Sequence, residues 1–292
     1  MTTLAHWRSL LYVPGNNPRF LTKAQDRGAD ALILDLEDSV LDDQKDAARA
    51  CLVDWFPRLV EGPSALTLRI NGSLRLAVRD LEALVLPGLQ AVVVPKCERA
   101  GKAALLAEVI GELEAERGLA VGGIAIIALI ESPSGVAEAY SIARAHPRVQ
   151  ALLLGSEDFA AACCMIPSSD NLRGAKRQIV YAARAAGISP LGLLESVAVL
   201  DPTKIEGFAR EARAFGFSGS TVVHPALVDA LNEGFSPSKD EISWAQSVLE
   251  ELSLAQAKGS GAARLDGQML DKPVLARAKS ILMRRGNTAN RR

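Results

Sequence analysis

The stretch ALILDLED, residues 31–38, decides the fold. Four aliphatic residues run without a break from Ala31 to Leu34, and three carboxylates, Asp35, Glu37 and Asp38, follow at once. An alternating run would suit a strand with one wet face, whereas a short continuous run suits a strand covered on both faces. The carboxylates mark the end at which the chain leaves the sheet. Helix punctuation stands upstream: Asn17 can cap a helix, Pro18 fits its first position and Gly28 can end it.

The same unit recurs along the chain. Apolar runs at 9–13, 31–36, 65–70, 90–94, 124–130, 151–154, 190–194 and 221–223 alternate with helical patterns. Eight strands joined by crossover helices predict an α/β fold of parallel strands, a (β/α)₈ TIM barrel. Length alone would allow two domains for 292 residues. No linker rich in Gly, Ser or Pro breaks the first ~235 residues, so one domain is preferred there. Ser238 and Glu241 read as a capping box opening a helix through about Leu254. The expected division is a barrel catalytic domain, 1–257, and a small C-terminal helical segment, 258–292, that serves as a lid or in oligomerisation. KGSG at 258–261 is its hinge, and 273–285 its helical stretch.

Composition limits the function classes. A hydrophobic content of 49% excludes a disordered or fibrous chain, and a formal charge of −1 argues against a nucleic-acid partner. The one basic concentration, residues 277–292, reads as a solvated helix and frayed tail. The run 124–130 is far too short to cross a bilayer, and no signal peptide is visible, so no membrane role is expected. Cys51, Cys97, Cys163 and Cys164 lack the spacing of a zinc site and read as reduced, mostly buried thiols of a cytoplasmic protein.

Nearly every run ends in polar residues on the side where barrel enzymes build their active sites. Pro14-Gly15-Asn16-Asn17 follows the first run, Asp35 to Asp38 the second, Arg69 and Asn71 close the third, and Lys96 and Glu98 follow the fourth. Glu131, Ser156-Glu157-Asp158, Glu195 and His224 complete the series. Any one of these suits a helix cap or a bland loop. Five carboxylate-bearing loops on one rim, however, repel one another unless a cation compensates. Mg²⁺, with Mn²⁺ as a substitute, takes oxygen ligands from one or two carboxylates, and Glu131 and Asp158 on neighbouring units suit it. His224 reads as a buried histidine hydrogen-bonded at the barrel mouth.

At these residues the chain resembles the citrate lyase β subunit-like CoA-ester lyases of the HpcH/HpaI aldolase/citrate lyase family, with malyl-CoA and citramalyl-CoA lyases among its kin. RSLLYVPGNNPRF, GADALILDLEDSV, LRING, VVVPK, ALIESPSG, LLLGSEDFA, VVHPA and RLDGQMLDKP appear in the family's order. The resemblance implies Glu131 and Asp158 as metal ligands and Arg69 as a clamp, potentially bidentate, for a substrate carboxylate. Glu37 and Asp38 would orient metal-bound water or Arg69. The turn through Pro14, Gly15 and Asn16 would meet the CoA part of the substrate, with Arg19 and Lys23 as phosphate contacts. Asp271 would act as acid/base from a lid reaching a neighbouring subunit, which implies a homo-oligomer, trimer or hexamer; its plain alternative is a helix cap. Many relatives carry an Arg after the metal-binding Glu, where this chain has Ser132-Pro133-Ser134-Gly135.

The reaction so implied is Mg²⁺-dependent cleavage of a 3-hydroxy acyl-CoA bearing a carboxylate on the hydroxyl carbon, such as a malyl-, citramalyl- or citryl-CoA. A 2-keto acid and an acyl-CoA would be released. Its rivals are a metal-dependent aldolase releasing pyruvate without CoA and a non-catalytic barrel that binds acyl-CoA or keto acids.

Overall fold

The computed structural model describes residues 4, 7–195, 201–257, 263–265 and 267–289. The chain divides into two compact units, Met1–Phe235 and Ser236–Arg292. The first contains the eight parallel strands β1 (Ser9–Pro14), β2 (Ala31–Asp35), β3 (Ala65–Arg69), β4 (Leu89–Val94), β5 (Ala125–Ile130), β6 (Val149–Leu154), β7 (Ser189–Leu191) and β8 (Ser220–Val222). Their order is β7-β6-β5-β4-β3-β2-β1-β8, and the ring closes between β7 and β8 through the parallel bridge Leu191 to Gly219. The barrel expected from the eight runs is therefore formed, and every run but the seventh lies within two residues of its strand. The seventh run is cut short at Leu191. There Gly192 takes φ 149° and donates its N–H to Gly219 O at 2.8 Å, turning the chain out of the strand.

The outer layer comprises α1 (Pro18–Ala24), α2 (Lys45–Leu59), α3 (Leu74–Leu84), α4 (Ala100–Glu116), α5 (Pro133–Ala137), α6 (Ala139–Ala143), α7 (Ser156–Ala162), α8 (Ser169–Ala185), α9 (Pro202–Phe215) and α10 (Val228–Phe235). Asn17 caps α1 by accepting the Arg19 N–H at 3.1 Å, with Pro18 in the first turn, as the punctuation predicts.

Strand residues alternate between two apolar layers, as the two-residue period of a strand requires. Leu32, Leu34, Leu66, Leu68, Ile126 and Ala128 pack outward against the helices. Ala31, Ile33, Ala65, Ala91, Val93, Ala125, Ile127, Leu129, Ala151 and Leu153 fill the barrel interior, with Leu4 and Trp7 joining them ahead of β1. Each fully buried Leu or Ile contributes about 1.5–3 kcal/mol through burial. The inward register sets the chemistry. Continued by one step toward the C-terminal rim, Ile33 is followed by Asp35, Thr67 by Arg69 and Leu129 by Glu131.

In the second unit, α11 (Lys239–Ala257) packs against α12 (Lys272–Ala289), joined by the hairpin β9 (Ala263–Leu265) and β10 (Gln268–Leu270). The Ser238–Glu241 capping box is formed, with Ser238 N to Glu241 Oε2 at 2.8 Å and Glu241 N to Ser238 Oγ at 3.1 Å. The sequence places the boundary after residue 257, but Ala245 and Val248 of α11 share a buried cluster with Leu270, Ala278 and Ile281. That shared apolar face puts α11 with the C-terminal unit, and the division falls at Ser236. The KGSG hinge at 258–261 lies outside the described residues.

Buried ion pairs anchor the other end of the barrel. Glu114 accepts Arg148 Nη1 at 2.9 Å together with the N–H groups of Gly122 and Ile124, so it ties α4 to the starts of β5 and β6. Removing one partner of such a pair leaves a buried charge uncompensated. Glu114→Ala is expected to shift the denaturant midpoint by the equivalent of about 3–5 kcal/mol. A loss below about 1 kcal/mol, the scale of an exposed pair, would show that the pair does not anchor this end.

Candidate active site

Asp35 and Arg69 stand side by side because β2 and β3 are paired in register at these two residues. Arg69 donates Nε to Asp35 Oδ1 at 2.6 Å and Nη2 to Asp35 Oδ2 at 2.7 Å, a two-point contact. Its Nη1 reaches Asp38 Oδ2 at 3.0 Å and Glu37 Oε2 at 2.8 Å, and its guanidinium lies 4.9 Å from the Tyr12 ring centre. The loop after β2 wraps round the Asp35 carboxylate, which also accepts the N–H groups of Glu37 and Ser39. Burial raises the Asp35 pKa, but the hydrogen bonds and charge of Arg69 outweigh burial and hold it below the usual carboxylate range. Glu37 goes the other way: burial pushes its carboxyl up despite Lys96 Nζ at 2.8 Å.

Arg69 thus lines the cleft as expected, but its two-donor Nε/Nη2 edge is engaged by Asp35. Only the remaining guanidinium donors are left for any further partner. Of the three carboxylates on Arg69, Asp38 has an exposed side chain, whereas Asp35 and Glu37 are buried.

Glu131 and Asp158 form the second group. Glu131 is buried at the end of β5, and its Oε2 accepts the Lys96 main-chain N–H at 2.6 Å. Asp158 sits in the first turn of α7. Between them, Gly155 donates its N–H to Ile130 O, and a Cβ at that position would lie 2.6 Å from Glu131 Cγ. Only glycine lets the chain after β6 pass so close to this carboxylate. Burial is the main cause raising the Glu131 pKa. The Lys96 N–H opposes it, the charges of Glu37 and Asp158 add to it, and the result is about 8.

Two oxygen-donor side chains, one held largely protonated near neutral pH by burial and its neighbours, fit a hard divalent cation. Among the described residues no group of three or more His, Cys, Asp or Glu side chains is arranged round one such point.

These groups share a cleft of about 470 Å³ lined by Tyr12, Pro14, Asp35, Asp38, Arg69, Glu131 and Asp158 among others. A narrower cleft of about 280 Å³ shares Tyr12, Pro14 and Val223 with it and adds Phe20, Arg27 and His224. Gly15 is buried, with its N–H on Asp35 O at 2.9 Å, and Asn16 is engaged with Gln44 Oε1. Arg19 and Lys23 are exposed on α1 and line neither cleft. Arg27, one turn beyond Lys23, lines the narrower one, and its position in the same helical stretch was the available signal.

His224 is exposed, not buried. Its Nδ1 accepts the Ala226 N–H at 3.2 Å and caps the turn Pro225–Leu227, a local bond that holds the ring at the surface. Of the four free cysteines, Cys97 is buried, Cys51 and Cys163 are half-buried, and Cys164 is exposed after α7 in a left-handed conformation. Asp271, in the C-terminal unit, caps α12 by accepting the Val274 N–H at 3.0 Å. Lys96 was named in the sequence without a role. Its contacts with Glu37 and Glu131 depend on a left-handed backbone that residue type does not announce.

The family model described as HpcH/HpaI aldolase/citrate lyase matches residues 8–225. The chain is 34% identical to the citrate lyase subunit beta of Leuconostoc mesenteroides subsp. cremoris over 94% of its own length and 92% of that protein. It is 33% identical to a (3S)-malyl-CoA thioesterase of Cereibacter sphaeroides over 97% of this chain and 96% of the other. Among solved structures it resembles the protein CitE of Mycobacterium tuberculosis, solved in complex with magnesium, acetoacetate and coenzyme A. The TM-score is 0.77 at 32% identity, over 97% of this chain and 100% of that one. With a matching model over most of its length and relatives of this identity over nearly all of it, the chain belongs to the HpcH/HpaI aldolase/citrate lyase family.

Proposed function

We propose that the protein is a Mg²⁺-dependent carbon–carbon lyase that cleaves a 3-hydroxy acyl-CoA carrying a carboxylate on its hydroxyl carbon. A 2-keto acid and an acyl-CoA are released. The observation that carries this reading is the pairing, in one cleft, of the Glu131 and Asp158 carboxyls with the Arg69 guanidinium. Relatives named as citrate lyase β subunits and the CitE complex with magnesium and coenzyme A support it.

Glu131 and Asp158 would hold the ion, with Lys96 N–H orienting Glu131. When bound, Mg²⁺ supplies Lewis-acid polarisation of the substrate hydroxyl and carboxylate oxygens, worth several kcal/mol. Arg69 receives the substrate carboxylate on the side now occupied by Asp38. The exposed Asp38 is the partner a ligand displaces most readily, while Asp35 keeps the guanidinium plane fixed. As the hydroxyl proton passes to solvent water in the cleft, the bond between the hydroxyl carbon and the carbon beside the thioester breaks. Its electron pair passes to the acyl-CoA enolate, which then takes a proton. Asp271 is the proposed donor, from a C-terminal lid closing over the cleft of a neighbouring subunit in a trimer or hexamer. The CoA arm is assigned to the Pro14–Asn16 side, where Phe20, Arg27 and His224 line the narrower cleft, with Arg19 and Lys23 exposed on α1 outside it. The thioesterase relative raises a second reading, hydrolysis of the thioester in the same cleft.

A mass-spectrometric screen of malyl-, citramalyl-, citryl- and methylmalyl-CoA, with and without Mg²⁺, separates these outcomes. Keto acid plus acyl-CoA, formed only with Mg²⁺ and abolished in folded Glu131→Gln and Asp158→Asn proteins, is expected. Free CoA with an intact hydroxy acid would establish hydrolysis instead, and full activity in either variant would remove the metal assignment.

A pH dependence follows from the Glu131 carboxyl, raised to about 8 in the metal-free protein. Below that value a proton occupies the group, and Mg²⁺ must displace it. Apparent Mg²⁺ affinity should therefore rise with pH and flatten above about 8, with close to one proton released per ion near neutrality. Calorimetry in buffers of different ionisation enthalpy measures this release. Binding without proton release at pH 7 would contradict the assignment, and in Glu131→Gln any remaining binding should release none.

A further inference from the structure

Lys102 on α4 donates Nζ to three main-chain oxygens: Pro95 O at 2.7 Å, Gly72 O at 2.9 Å and Lys96 O at 3.2 Å. These account for all three protons of the ammonium. Among the described residues no carboxylate pairs with it. A half-buried cation bonded solely to carbonyl oxygens calls for a reason in what those carbonyls do.

Two of them, on Pro95 and Lys96, belong to the loop after β4 that reaches Glu131, and the third, on Gly72, belongs to the loop after β3. Lys96, with φ 50°, is one of two non-glycine residues in the left-handed region among those described, a conformation disfavoured by contact between its Cβ and the backbone. In that conformation its N–H reaches Glu131 Oε2 at 2.6 Å, and its Nζ reaches Glu37 Oε1 at 2.8 Å. The following residue is held as well, with Cys97 N on Leu129 O at 3.0 Å. Lys45 and Lys176 use the same device on other loops. Lys45 Nζ bonds the carbonyls of Leu36 and Glu37, and Lys176 Nζ those of Leu194 and Glu195. Among these three, Lys102 alone acts on a residue that touches Glu131.

We propose that Lys102 is a positioning residue for the cation site: by gathering the carbonyls of Gly72, Pro95 and Lys96 it holds Lys96 in the left-handed conformation and so keeps the Lys96 N–H on the Glu131 carboxylate. This rests on the reading of Glu131 and Asp158 as Mg²⁺ ligands. Without the ammonium, the 95–96 segment relaxes toward ordinary negative φ, the N–H turns away, and Glu131 loses the donor that orients it.

The test is Mg²⁺ binding, measured by calorimetry on the full chain, for wild type, Lys102→Met, Lys96→Gly and the double variant, with thermal unfolding followed in parallel. Lys102→Met is expected to weaken Mg²⁺ binding about tenfold, the scale of lost outer partners of metal ligands. Because both residues act along one path, the double variant should bind at least about threefold more tightly than the product of the two single losses predicts. Lys102→Gln, which has no charge and at most two side-chain donors, serves if the Met variant does not fold and should likewise weaken Mg²⁺ binding. A lowered unfolding temperature with unchanged Mg²⁺ affinity, or strictly additive losses, would overturn the proposal. A wild-type protein that binds no Mg²⁺ would instead overturn the metal reading on which it rests.

Discussion

The repulsion among carboxylates gathered on one rim is the constraint round which this molecule is arranged. Asp35, Glu37, Asp38, Glu131 and Asp158 approach one another at the strand ends, and among the described residues Arg69 and Lys96 are the cations in contact with them. Both cations favour the β2 side. Arg69 engages Asp35, Glu37 and Asp38, while Lys96 places its charge on Glu37 and offers Glu131 only a main-chain N–H. The consequence is a split between like groups. Asp35 is held in its charged form, and Glu131 is pushed up to about 8. The same residue chemistry thereby yields an anchored ion pair at one place and a buried carboxyl raised by burial and its acidic neighbours at the other.

The barrel supplies that arrangement through register. Aliphatic and alanine side chains fill the inward positions below the rim, and the next inward step on β2, β3 and beyond β5 presents Asp35, Arg69 and Glu131 to the cleft. Parallel pairing then decides which of these meet: Asp35 lies opposite Arg69 because β2 and β3 are in phase there. The loops are fixed by means other than strand pairing. Gly155 clears space beside Glu131, and three lysine ammonium groups, on Lys45, Lys102 and Lys176, bind successive carbonyls of three loops. An ammonium suits this task because its three donors accept several backbone directions at once.

Much of this was legible in the sequence, since apolar runs and the polar residues closing them are local signals. The strands, the rim position of Glu131, Asp158 and Arg69, the α1 cap and the Ser238–Glu241 box all come from residues adjacent in the chain. What escaped depends on partners distant in sequence. The engagement of the Arg69 fork by Asp35 requires the β2–β3 register, the left-handed Lys96 requires Lys102 and Gly72, and the placement of α11 with α12 requires their shared apolar face. His224 was misjudged for the opposite reason: its bond to Ala226 N is local, and a cap on a surface turn was passed over in favour of burial.

If the split between these carboxylates selects where a cation binds, a divalent ion should enter at one point on the rim. Crystals grown with Mn²⁺ in place of Mg²⁺ locate such an ion through its anomalous scattering. The account predicts one site, ligated by Glu131 and Asp158 with its remaining positions filled by water or substrate oxygens, and Arg69 still paired with Asp35. An ion seated instead among Asp35, Glu37 and Asp38, or no bound ion when Glu131 is deprotonated above about pH 8, would contradict it.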